Sequence, residues 1–233
     1  MKTKKYRHLF FDLDRTLWDY DLNAAEALAE IYQTHNLAQT VGGLDSFRES
    51  FAKYNDLLWT DFREGRIRKN TLRTLRFERI LADFGITNPD MAEKLNTDFL
   101  NSCPRKANLI PGTIELLDYL KEQRYSLHII TNGFIRIQRI KMESSGIADY
   151  FQRIFSFENT GGHKPHRAIF AHAVTSVNAR KVDSLMIGDD MEVDIVGARN
   201  YGIDQVYFNP GHVVHSGKTT YEVFELSEIK GIV

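Results

Sequence analysis

Leu9-Phe10-Phe11-Asp12-Leu13-Asp14-Arg15-Thr16 is the stretch that decides the fold. Its apolar opening reads as a buried strand that stops abruptly at a carboxylate. A second carboxylate follows two positions on, and then a threonine. A strand ending in Asp-x-Asp-x-Thr places two acids at the carboxyl edge of a sheet, where open α/β folds bind ligands. Anions this close repel each other unless a cation sits between them. The pattern predicts a hard metal ion, one ionised Asp free to attack and one Asp able to trade protons.

Downstream of this strand the periodicity becomes helical. Ala24, Leu28, Ile31 and Tyr32 recur at helical spacing, with Asn23 placed to cap. Further helical patterns run over about 45–59 (Phe47, Phe51, Tyr54, Leu58), 71–84 (Leu72, Leu75, Phe77, Ile80, Leu81) and 89–100. Gly85 stands where a helix would stop, and Pro89 at an early helical position. From Asn108 onward strands and helices alternate: strands over 126–131, 154–157, 184–188 and 205–208, helices over 165–176 and 193–201. Alternation of this kind means βαβ units and a parallel sheet. The expected fold class is α/β, a doubly wound parallel sheet interrupted by an inserted α-helical domain. The expected boundaries are 1–17 with 109–233 for the core and 18–108 for the insert.

Loops after parallel strands share one edge, and four here carry chemistry. They are Asp12/Asp14; Thr131-Asn132-Gly133, a hydroxyl, an amide and a glycine that lets backbone N–H groups approach an anion; Lys164, just before a helix that Pro165 can start; and Asp189-Asp190-Met191-Glu192-Val193-Asp194. Singly, each is an ordinary turn, a surface lysine or an acidic helix start. Together, in order and each after a strand, they describe a phosphoryl-transfer site with a hard cation. An EF-hand beginning at Asp12 would need Gly at Leu17 and Glu at Asn23. No Gly-x-Gly-x-x-Gly follows a strand and no Gly-x-x-x-x-Gly-Lys-[Ser/Thr] occurs, which removes dinucleotide-binding and P-loop folds. His212 and His215 have no cysteine or acid pair nearby and read as solvated loop histidines.

Composition sets the remaining bounds. The 233 residues are 42% hydrophobic and 26% charged with net charge −1, so no global field attracts nucleic acid or an anionic membrane. Arg63, Arg66, Arg68, Lys69, Arg73, Arg76 and Arg79 form a basic run, read as a solvated helix face or as steering for an anionic substrate. Cys103 is the only cysteine, which excludes an intrachain disulfide and suits a reducing compartment. The start Met1-Lys2-Thr3-Lys4-Lys5 is basic, but the apolar segment after it is cut by Asp12 and Asp14, too short for a signal peptide. No window approaches a membrane span. A cytoplasmic monomer or homodimer is expected, with no nucleic-acid polymer or membrane as partner.

The four loops resemble, in order, the four motifs of the haloacid dehalogenase superfamily, and the helical insert resembles its α-helical cap of the first type. Within that superfamily, Leu58-Trp59-Thr60-Asp61-Phe62-Arg63-Glu64-Gly65-Arg66-Ile67, Arg76-Phe77-Glu78 and Ile130-Thr131-Asn132-Gly133-Phe134 resemble the house-cleaning pyrimidine 5′-nucleotidase group. Two places depart from the usual pattern: Arg15 stands where Gly or Glu is common, and 158–163 is unusual. The resemblance implies that Asp12 is a nucleophile forming an aspartyl-phosphate and that Asp14 protonates the leaving oxygen, then deprotonates water. It implies that Thr131, Asn132 and Gly133 bind the phosphoryl group and that Lys164 offsets the repulsion between Asp12 and phosphate. Asp189 would complete an Mg²⁺ site with the Asp12 carboxylate and the Asp14 backbone carbonyl. Asp190 or Asp194 would act through water or orient Lys164. Trp59, Phe62 and Arg63 are candidates to face the non-phosphate end of a substrate, or to pack within the cap.

The implied activity is an Mg²⁺-dependent phosphomonoesterase on a small phosphorylated metabolite, most simply a nucleoside 5′-monophosphate. A phosphatase or mutase of sugar phosphates, and a non-catalytic binding protein on a retained fold, are the alternatives. Asp14 separates a phosphatase from a dehalogenase, because a halide leaves unprotonated and an alkoxide does not.

Overall fold

The computed structural model describes residues 5–233; the basic start through Lys4 lies outside the described residues. In chain order the elements are β1 (His8–Phe11), α1 (Tyr20–Thr34), α2 (Leu44–Arg63), α3 (Lys69–Asp83) and α4 (Pro89–Ser102). There follow α5 (Thr113–Glu122), β2 (Ser126–Thr131), α6 (Ile135–Ser144), β3 (Arg153–Ser156), α7 (Phe157–Thr160) and α8 (Arg167–Ser176). The chain closes with β4 (Ser184–Gly188), a π-helical turn (Met191–Val196), α9 (Gly197–Tyr201), β5 (Asp204–Phe208) and β6 (Tyr221–Val223).

The six strands form one parallel sheet in the order β3-β2-β1-β4-β5-β6. β1 sits in the middle, with Phe11 opposite both Ile129 of β2 and Ile187 of β4. The connections run outward from β1 in both directions, so its carboxyl end is the topological switch point where such sheets bind ligands. Strands covered on both faces must be apolar throughout. Leu185, Met186 and Ile187 of β4 are fully buried, as are Leu9, Phe10 and Phe11 of β1. Phe10, Ile130 and Met186 pack on Ile169, Phe170, Ala173 and Val174 of α8 and on Ala198 and Tyr201 of α9.

The chain divides into two compact units, one running to Tyr20 and resuming at Ala107–Val233, the other Asp21–Lys106. The first crossing leaves the core after Tyr20 rather than after Leu17. Trp18 is fully buried there, its backbone N–H donates to Leu13 O at 2.9 Å, and it bridges to Leu109. Asp19 N–H likewise reaches Asn108 O at 3.1 Å, which ties Asn108 to the core. The Asp21–Lys106 unit is helical and closes around Phe47, Phe51, Phe77 and Phe99, with Phe51 and Phe99 centroids 4.7 Å apart.

Several local expectations change. Asn23 is buried inside α1 and does not cap it; the helix begins at Tyr20. α8 starts at Arg167, where the His166 ring nitrogen accepts from Ala168 N–H at 3.2 Å, so Pro165 precedes the helix. The basic run is not a uniform solvated face: Arg76 is buried, its guanidinium 5.6 Å from the Phe51 ring and 5.5 Å from that of Phe99. His212 stacks on Phe224 at 4.1 Å and His215 pairs with Glu222 at 3.2 Å, so both are pinned to the segment around β6. α5 and β6 join the predicted elements; β6 is a three-residue edge strand with too little apolar signal to stand out. Among the described residues no helix is long and apolar enough to cross a membrane.

One core group makes the sheet sensitive to acid. His128 of β2 is fully buried, 5.0 Å from the Phe10 ring and 6.4 Å from that of Phe155. Its Nε2 lies 3.3 Å from His8 Nδ1. Burial first, then the neighbouring His8 and Arg153, push the His128 pKa down to about 4 from 6.5. His8 is lowered too, by burial and Arg7, against the pull of Asp183. Between these pH values the unfolded chain binds a proton at position 128 that the native state refuses, so stability is lost as pH falls from 6.5 toward 4, by roughly 3 kcal/mol. Denaturant titrations between pH 7 and 4.5 are expected to show a shallower loss in His128→Phe than in wild type. Identical slopes would mean that His128 carries none of it.

Candidate active site

The carboxyl edge of the sheet is set by backbone register. Asp12 N–H donates to Ile187 O at 2.9 Å, so pairing with β4 runs one residue past β1 and holds Asp12 at the edge. Asp12 is buried, and the Lys164 ammonium, itself 2% exposed, donates to its Oδ1. The same ammonium lies 2.7 Å from Asp194 Oδ1. Asn132 fixes the lysine's backbone from both sides: its Oδ1 accepts from Lys164 N–H at 2.7 Å and its amide donates to Lys164 O at 3.0 Å.

Asp189 follows β4 directly and accepts from Thr16 Oγ1 at 2.9 Å. Asp194 comes from the π-helical turn and folds back beneath Gly188. A Cβ at position 188 would sit 2.3 Å from Asp194 Oδ2, so only glycine lets this acid in. Asp190 turns the other way, its Oδ1 accepting the N–H groups of Glu192 at 3.0 Å and Val193 at 2.9 Å, and it caps the turn.

Oxygens of Asp12, Asp189 and Asp194 lie within 4.8 Å of one another. Burial, then the neighbouring acids Asp194, Asp189 and Asp14, drive the Asp12 pKa well above the carboxylate range against the pull of Lys164. Burial and then Asp194 push Asp189 up to about 7. Lys164 is raised: burial opposes its charge, but the two carboxylates outweigh that cost. Two buried acids and a half-buried third, with one lysine between the buried pair, leave negative charge uncompensated, and an all-oxygen donor set of this kind fits a hard divalent cation. Asp194, expected to act through water or orient Lys164, contacts that lysine and also brings a carboxylate oxygen to this group, to which Asp190 does not belong.

Asp14 lies in a second environment. Its Oδ1 is 2.5 Å from the Lys141 ammonium and its Oδ2 accepts from the Gln138 amide at 2.8 Å. The chain turns sharply after it, with Arg15 at φ 64°, a left-handed conformation costly for a side chain, and the Arg15 guanidinium 4.8 Å from the Tyr20 ring. Thr131 Oγ1 accepts from Gly133 N–H at 3.0 Å and from Gln138 Nε2 at 2.8 Å. With both lone pairs taken, its proton is left to donate. A Cβ at Gly133 would meet Gln138 Nε2 at 2.0 Å, so this glycine makes room for that amide.

The edge therefore gathers Asp12, Asp14, Thr131, Lys164, Asp189 and Asp194, with Asn132 spent on holding Lys164. Trp59, Phe62 and Arg63 belong to the helical unit, where Trp59 and Phe62 pack edge to face at 5.9 Å and Arg63 donates to Thr60 Oγ1 at 3.0 Å. Sequence reading missed Gln138 and Lys141, and gave Thr16 no task. The signal for Gln138 and Lys141 was polar residues on the inward face of α6, where apolar ones are the rule.

Comparison with known proteins points the same way. The family model described as haloacid dehalogenase-like hydrolase matches residues 9–208. The chain is 31% identical over 228 residues to the pyrimidine 5′-nucleotidase PynA of Streptococcus pneumoniae, covering 96% of this chain and 93% of that one. It is 30% identical over 209 residues to the pyrimidine 5′-nucleotidase YjjG of Escherichia coli, covering 89% and 88%. Other relatives are named for a sugar bisphosphate and for a triose phosphate. The crystal structure of the HAD-hydrolase YfnB of Bacillus subtilis, bound to magnesium, superposes with TM-score 0.88 at 28% identity over 98% of this chain and 99% of that one. With the motif residues 9–208 matched and the same sheet carrying them, the chain belongs to the haloacid dehalogenase-like hydrolases.

Proposed function

We propose that this protein is an Mg²⁺-dependent phosphomonoesterase working through an aspartyl-phosphate on Asp12, with nucleoside 5′-monophosphates as substrates. The observation that carries the reading is the second carboxylate: Asp14 is held by two donors beside the Asp12–Lys164 pair. Ester hydrolysis needs a proton at the leaving oxygen, and an acid so placed can supply it.

In the first half-reaction a carboxylate oxygen of Asp12 attacks phosphorus, the bond to the ester oxygen breaks, and Asp14 gives that oxygen a proton. In the second, Asp14 takes a proton from a water whose oxygen attacks phosphorus; inorganic phosphate leaves and Asp12 is restored. Lys164 balances the negative charge that Asp12 and the phosphoryl group bring together, and the Thr131 hydroxyl donates to a phosphoryl oxygen. The backbone N–H of Asn132 suits another phosphoryl oxygen, whereas that of Gly133 is taken by Thr131 Oγ1. A bound Mg²⁺, held by Asp12, Asp189 and Asp194 side chains and the Asp14 backbone carbonyl, would neutralise charge on the acids and the phosphoryl group.

The nucleotide preference is supported by the names of PynA and YjjG and by the resemblance of 58–67 and 76–78 to that group. The relatives named for sugar phosphates favour a second reading, a phosphatase of phosphosugars on the same chemistry. A panel of nucleoside 5′-monophosphates, sugar phosphates and p-nitrophenyl phosphate, read by phosphate release, separates the two; highest kcat/KM on a sugar phosphate would replace the nucleotide reading.

Asp12→Asn is nearly isosteric and removes one charge from a crowded acid cluster, so it should fold while losing a factor of at least about 10³ in kcat. Turnover above about a hundredth of wild type would sink the covalent assignment.

Chelator should abolish turnover and Mg²⁺ restore it, while Ca²⁺, which takes more oxygen ligands at longer distances, should not. Mg²⁺ should also raise the melting temperature of wild type and not that of Asp189→Ala, a binding readout independent of turnover. Full activity in EDTA, or an equal shift in both proteins, counts against this metal site.

Arg63→Ala tests whether the helical unit takes part in substrate choice. Its kcat/KM should fall more on nucleotides than on p-nitrophenyl phosphate; equal losses would leave Arg63 a helix-stabilising residue through its bond to Thr60.

A further inference from the structure

α6 carries a buried face that packing does not account for. Its buried residues are Gln138, Lys141 and Met142, of which only the methionine is apolar. A helix covered on one side normally turns an apolar stripe inward, and a partly buried lysine–carboxylate pair adds little net stability over apolar side chains of similar volume. Gln138 and Lys141 lie one turn apart on the same face, and both reach the same carboxylate. Lys141 approaches Asp14 Oδ1 at 2.5 Å, and Gln138 donates to Asp14 Oδ2 at 2.8 Å.

Each partner is itself fixed. The Lys141 ammonium sits 4.4 Å from the Trp18 ring centroid and 5.6 Å from that of Tyr20, and Trp18 is fully buried. Gln138 is fully buried, and Nε2 also donates to Thr131 Oγ1 at 2.8 Å. One amide thus spans the Asp14 carboxylate and the Thr131 hydroxyl. The chain leaves space for it: a side chain at Gly133 would meet that nitrogen at 2.0 Å. Glycine 133, the amide at 138 and the ammonium at 141 are three separate requirements that meet at one carboxylate.

We infer that Gln138 and Lys141 are positioning residues for Asp14, clamping both its oxygens so that the acid is aimed at the leaving oxygen while the Gln138 amide keeps it in register with the phosphoryl-binding hydroxyl of Thr131. Neither is placed to touch substrate; both act through Asp14. The inference rests on the phosphomonoesterase reading and extends it to how the proton donor is oriented. General acid help matters for a poor leaving group such as an alkoxide and hardly at all for a nitrophenolate that departs as an anion.

The test compares an alkyl ester, a nucleoside 5′-monophosphate, with 2,4-dinitrophenyl phosphate. Both are assayed with wild type, Lys141→Met and Gln138→Met at saturating Mg²⁺, with circular dichroism confirming the fold. Each variant should lose kcat on the alkyl ester by roughly tenfold to a hundredfold more than on the dinitrophenyl ester, with KM changing by less than about threefold, as expected when an oriented general acid is lost. Gln138→Met is uncharged before and after, so it carries the test if Lys141→Met does not fold. Equal losses on the two esters, or a loss in KM alone, would overturn the positioning role while leaving the phosphatase intact. Wild type that turns over neither ester would overturn the phosphatase reading and this inference with it.

Discussion

The buried ammonium of Lys164 lies between Asp12 and Asp194, and the rest of the edge is built around it. Burying a charge is expensive unless it is paired, and pairing it here requires two acids from distant parts of the chain to converge. That convergence needs β1 in the centre of the sheet, so that the strand end carrying Asp12 adjoins the end of β4. It needs Gly188, because a side chain there would occupy the place of the Asp194 carboxylate. It needs Asn132, whose side-chain amide group grips the Lys164 backbone from both sides and fixes where the ammonium can reach. The surplus of acids over lysine matches what a divalent cation would balance.

Asp12 and Asp14 are two positions apart in sequence and occupy different chemical surroundings. Asp12 is buried against Lys164 and two further acids; Asp14 is partly exposed and held by Lys141 and Gln138. Carboxylates set apart in this way can take different roles, one as nucleophile and one as proton carrier. The link between them is the Thr131 loop, whose hydroxyl shares the Gln138 amide with Asp14 and whose asparagine holds Lys164. Each carboxylate thus has its own lysine, Lys164 for Asp12 and Lys141 for Asp14, and one short loop ties the two pairs together.

The sequence by itself determined the sheet and its edge. Strands buried on both faces must be continuous apolar runs, so β2 and β4 could be read to the residue and β1 and β5 within one, and an acid, hydroxyl or glycine directly after such a run must lie at the carboxyl edge. Asp12, Asp14, Thr131 and Asp189 could be placed at the edge for that reason, Lys164 only by its position before a helix, and the helical periodicity between Asn23 and Asn101 marked the insert. Helix starts were less legible: Asn23 and Pro165 have capping chemistry, yet tertiary packing began the helices at Tyr20 and Arg167. Only the tertiary structure decided which charge meets which. Lys164 reaches Asp194 across thirty positions and Lys141 reaches Asp14 across 127, and no periodicity encodes such a pair. The same holds for Arg76, which looked like one of a solvated basic run and is buried against two aromatic rings. Local patterns report which side of an element is apolar; the partner of a buried charge is set by where other elements bring their side chains, and that is fixed only when the sheet order and the loops are in place.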